Sequence, residues 1–92
     1  MKEPTRNEYK QILTEIIKKQ IVILGPKIAV LKARNVPGLK VADSGEILDI
    51  AGPEQIILQK LISEYVAFSG EIVRNTVNAI FEKILPTKTL KI

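Results

Sequence analysis

The sequence predicts a small α+β domain, mostly helical, with elements in the order α–β–β–α. Two stretches carry apolar residues at helical spacing, over 5–35 and 53–85. Between them, residues 39–50 alternate apolar and polar side chains around a glycine-containing turn, the pattern of a β-hairpin. A tail, 86–92, follows, and residues 1–92 make one domain.

The first helical region opens at Thr5-Arg6-Asn7-Glu8, which has the form of a capping box. At about 100° per residue, Leu13, Ile17, Ile21, Leu24, Ile28 and Leu31 share one face. Tyr9, Ile12, Ile16 and Ile23 widen that face to roughly half the circumference. Gly25-Pro26 interrupts the pattern. Proline inside a helix costs about 3 kcal/mol and frees the carbonyl four residues back. Ile28 and Leu31 keep the earlier phase, which favours a kinked helix over the alternative, a break with Pro26 opening a second helix. Val36-Pro37-Gly38 ends the region.

In the hairpin, Leu39, Val41, Leu48 and Ile50 are expected to face the helices, since a lone two-stranded hairpin is marginal without such packing. Gly52-Pro53-Glu54 then starts a helix, with Gly at the cap, Pro at the first helical position and an acid in the first turn. Its apolar arc contains Leu58, Leu61, Ile62, Tyr65, Val66, Phe68, Ile72, Val73, Val77, Ile80 and Ile84. The arc holds phase across Ser69-Gly70, which predicts one helix of about 30 residues, roughly 45–50 Å long. Pro86 ends it.

Composition excludes several chemistries. The chain has no Cys and no His. It therefore has no disulfide, no thiol nucleophile, no cysteine-based zinc site and no imidazole base. Ser44, Ser63 and Ser69 have no histidine to activate them. Asp43, Glu46 and Asp49 could form a carboxylate site, but their places in and beside a turn make solvated polar positions the simpler reading. The sequence thus predicts no enzyme, no cofactor and no metal. No run approaches the ~20 apolar residues of a membrane span. The richest stretch, Ile21-Val22-Ile23-Leu24, is flanked by Lys18, Lys19 and Lys27. A soluble, cytoplasmic protein without membrane contact is expected.

The net charge of +4 is unevenly spread. Residues 16–42 carry Lys18, Lys19, Lys27, Lys32, Arg34 and Lys40 and no acid. Residues 43–71 carry six acids against Lys60 alone. Lys18, Lys27, Lys32 and Arg34 are candidate contacts for an anion, which makes a nucleic-acid-associated protein the alternative reading. Against it, the basic side chains scatter on the helical wheel, and no aromatic lies among them to stack a base.

Both helical regions show an apolar arc nearly twice the roughly 100° that a surface helix needs. The expected solution is a homodimer whose helices form a common bundle, with a separate protein partner as the other possibility. The interface would use Leu58, Leu61, Tyr65, Phe68, Ile72 and Ile80. The function read from the sequence is a non-catalytic oligomerisation or adaptor module.

Overall fold

The computed structural model describes residues 4–69 and 71–84, and for residues 68, 69, 71–74 and 81 the side chains lie outside that description. The elements are α1 (Arg6–Leu24), α2 (Pro26–Arg34), β1 (Leu39–Val41), β2 (Ile47–Ile50), α3 (Glu54–Ser69) and α4 (Glu71–Ile84). The small α+β class and the central hairpin match expectation. The two long helices do not.

At α1 the capping box forms as the sequence requires. The Glu8 amide donates to Thr5 Oγ1 at 3.2 Å, and the Thr5 amide donates to the Glu8 carboxylate at 2.8 Å. The helix ends at Gly25, whose backbone sits at φ 87°, ψ 155°, a region open essentially to glycine alone. Pro26 is the first residue of α2, where its missing amide is no loss. This is a break, not the favoured kink. The residue before a proline is pushed out of the helical region, and a glycine there can turn the chain sharply. The break also resets the phase. Ala29, Val30 and Ala33 are buried, while Ile28 and Leu31, expected on the continuing apolar face, are exposed.

The hairpin is antiparallel, pairing Leu39 with Ile50, Lys40 with Asp49 and Val41 with Ile47. Leu48 is therefore an extra residue on its strand, a bulge. Leu39, Val41 and Ile50 are buried as expected, but Ile47 takes the inward place assigned to Leu48, which is 57% exposed. The turn closes between Ala42 and Glu46, with Gly45 at φ 93°. Gly45 is buried against α1: a Cβ there would meet Ile21 Cδ1 at 2.8 Å and Ile17 Cγ2 at 3.0 Å. Two helix side chains satisfy strand backbone groups. The Ile47 amide donates to Thr14 Oγ1 at 3.1 Å, and Arg34 donates to the Val41 carbonyl through Nε and a terminal nitrogen.

The second helical region is two helices, α3 and α4, rather than one. A straight helix over 54–84 would measure about 46 Å, longer than the 36 Å greatest dimension of the molecule. Gly70, between them, lies outside the described residues. So does the tail 86–92.

Helix α1 is the centre of the packing and touches α2, α3, α4 and β2, while α2 bridges α3 and β1. Ile12, Leu13, Ile16, Ile17, Leu61 and Tyr65 are fully buried among them. A polar bond crosses this core: the Tyr65 hydroxyl donates to the Ala29 carbonyl at 2.6 Å, joining α3 to α2. Burial pushes the phenol's pKa well above its ordinary value.

Three substitutions test this packing. Gly45→Ala incurs both backbone strain and a collision with Ile17 and Ile21, so it should lower unfolding stability by about 2–4 kcal/mol in urea titration. Gly25→Ala meets open space, incurs only the strain and should cost about 1–3 kcal/mol; a Gly25 variant more damaging than its Gly45 counterpart would contradict this. Tyr65→Phe should cost roughly 1–2 kcal/mol. Because the folded phenol holds its proton more tightly than the unfolded one, its contribution is complete below pH about 10 and is lost as pH rises beyond that. Stability of the native chain should accordingly fall more steeply at alkaline pH than that of Tyr65→Phe.

Candidate functional site

The residues singled out as an interface from the sequence are placed as follows. Leu58, Leu61, Tyr65 and Ile80 are all buried within the chain's own core. The side chains of Phe68 and Ile72 lie outside the described residues.

Large aliphatic side chains stay exposed near the junction of α1 and α2. Among the described residues, the exposed large aliphatics are Val22, Ile23, Ile28, Leu31, Leu48 and Ile56. The first four fall on either side of the Gly25 break, with Val22 83% and Leu31 59% exposed. Local geometry explains them. Ile21-Val22-Ile23-Leu24 puts four apolar residues in one helical turn, more than a single face can bury; Ile21 and Leu24 turn inward onto the core, leaving Val22 and Ile23 outside. In α2 the inward face goes to the small residues Ala29 and Ala33 with Val30, so Ile28 and Leu31 point away.

The basic residues surround this corner without converging on one point. Lys18 lines a groove between α1 and the hairpin, with Lys10, Thr14 and the bulged Leu48. Lys27 and Arg34 line a different, shallow groove of about 330 Å³, together with Pro26, Leu31 and Asp43. Arg34 is already engaged, with Asp43 2.8 Å from its guanidinium as well as the Val41 carbonyl. Lys32 is half-buried.

The acidic candidates are likewise engaged with cations. Asp43 pairs with Arg34, and Asp49 lies 3.8 Å from Arg6, which also reaches Glu54 at 3.4 Å. Glu46 stands apart on the groove beside Leu48. Among the described residues no three such ligands gather where a metal ion could sit.

No family model matches the chain, and no curated protein or solved structure does. Among the described residues, no helix is long and apolar enough to cross a membrane.

The corner aliphatics expose their side chains while the core aliphatics do not, and substitution should separate the two. Leu31→Asp should leave the unfolding free energy from urea titration within about 0.5 kcal/mol of the native chain. Leu61→Ala should cost about 2–5 kcal/mol. Comparable losses in both would mean that Leu31 is part of the core.

Proposed function

We propose that this chain is a non-catalytic binding module, adaptor-like in role, that engages another protein through the corner between α1 and α2. The observation that carries the reading is the group of exposed aliphatics Val22, Ile23, Ile28 and Leu31 on a fold whose core is otherwise closed. Isolated apolar residues on a surface need no explanation, whereas four large aliphatics exposed within ten positions of one another along the chain favour an interaction site. Catalysis has little to draw on. The chain lacks His and Cys, and the Tyr65 phenol is bound to the Ala29 carbonyl inside the core. A chain without cysteine also suits the cytoplasm.

The dimer expected from the sequence is a narrower form of the same idea. Its proposed contacts on α3 and α4 are largely occupied within the chain, so self-association would have to use the corner instead. Nucleic-acid binding has weaker support, because Arg34 is engaged by Asp43 and Lys18 borders a different groove from Lys27.

Site-specific photo-crosslinking tests the reading. A photoreactive residue at position 28 or 31, in cells that make the protein natively, should give discrete protein adducts. The same probe at position 56, also exposed but on α3, should give few. Equal yields at all three positions would contradict a dedicated corner surface.

A further inference from the structure

We infer that Thr14 and Arg34 stand in for neighbouring strands: each occupies one outer edge of the hairpin, and together they keep a second copy of the hairpin from pairing there. Among the described residues the sheet has two strands, so each strand has a strand partner on one side only. A bare edge presents amides and carbonyls that template pairing with another chain. Here the second strand is suited to such pairing, since Ile47, Leu48 and Ile50 are aliphatic. The register fixes which backbone groups point outward. The Ala51 amide donates to the Gly38 carbonyl, and the Ala42 amide to the Glu46 carbonyl. In an antiparallel ladder, pairs that bond across the hairpin alternate with pairs whose backbone groups point away. Leu39 with Ile50 and Val41 with Ile47 are the outward-pointing pairs.

Groups from outside the sheet meet these positions. On the β1 edge the Leu39 amide donates to the Val36 carbonyl at 3.3 Å. On the same edge the Val41 carbonyl accepts from Arg34, from Nε at 3.3 Å and from a terminal nitrogen at 3.0 Å. On the β2 edge the Ile47 amide donates to Thr14 Oγ1 at 3.1 Å. The two guards come from different helices and reach opposite edges at the same level, because Val41 and Ile47 face each other across the hairpin. Asp43, 2.8 Å from the Arg34 guanidinium, holds it over the strand. The bulge at Leu48 adds a further device, since a bulge twists an edge away from a flat partner. Arg34 thus has a use other than anion binding: its donors are turned to the sheet and to Asp43.

Thr14→Val and Arg34→Met each remove the hydrogen-bonding group and keep most of the side chain's bulk. Sedimentation velocity of the full chain over a range of concentrations tests the assignment, and unchanged melting temperatures in dilute solution will confirm that the variants fold. A single variant opens one edge, and one edge pairs once. Each should therefore form a dimer, with an association constant at least about tenfold above that of the native chain. The double variant opens both edges and should grow into open-ended, β-rich polymers. Thr14→Ser keeps the acceptor and should remain a monomer. A synthetic peptide copying residues 46–51 should shift the amides of residues 47 and 50 in Thr14→Val and leave those of the native chain in place. Either single variant tests its own edge, so failure of one to fold leaves the other decisive. Folded variants that stay monomeric and ignore the peptide overturn the proposal. So does association of the core variant Leu61→Ala to the same extent and with the same dimer-to-polymer order, because assembly would then follow lost stability and not an opened edge.

Discussion

The fold depends on one backbone conformation, the left-handed turn at Gly25 that stops α1 and lets Pro26 begin α2 in a new direction. A continuous helix would have carried Ile28 and Leu31 along the face of Leu13 and Ile17. The turn instead lays Ala29 and Ala33 inward, and small side chains let α2 lie close to its neighbours. Only then does the Tyr65 hydroxyl reach the Ala29 carbonyl, and only then can Arg34 extend from α2 to the hairpin at Val41 and Asp43. Among the described residues, much of the apolar surface that two long helices would have left open is buried within one chain, while Val22, Ile23, Ile28 and Leu31 near the junction stay exposed.

The sequence made the element types legible, and several details with them. The capping box at Thr5 and Glu8, the turn at Gly45 and the start near Pro53 rest on local chemistry, which tertiary packing did not override. The two long helices are where the expectation and the structure part. Apolar residues in phase across Gly25-Pro26 and across Ser69-Gly70 suggest unbroken helices, but phase along the chain does not fix which residues are buried: after the break at Gly25, Ala29, Val30 and Ala33 turn inward and the in-phase Ile28 and Leu31 turn out. The stronger signals were local: a glycine directly before proline, and Ala29 and Ala33 spaced one turn apart on an otherwise aliphatic helix. The bulge at Leu48 is harder to read, since inserting one residue exchanges Ile47 for Leu48 without any change in composition.

The candidate surface was partly legible too. Four consecutive apolar residues, Ile21 to Leu24, cannot all face one way, and lysines flank them on both sides. Leu31 and Ile28 could not be foreseen as exposed without the break. Leu58, Leu61, Tyr65 and Ile80, expected at an interface, are drawn into the core by the same apolar character that marks them in the sequence. Burial and binding compete for the same side chains, so what marks a surface is a large aliphatic left outside, not the largest apolar face.

The central claim is that the break at Gly25 lets a single chain close its own core. The absolute molar mass in solution, by light scattering during size-exclusion chromatography over a range of protein concentrations, tests it most directly. The account predicts 10.3 kDa throughout, with a melting temperature that does not depend on concentration. A mass of twice that value that persists on dilution, with a melting temperature that rises with concentration, would show that the core is completed by a second chain and would contradict it.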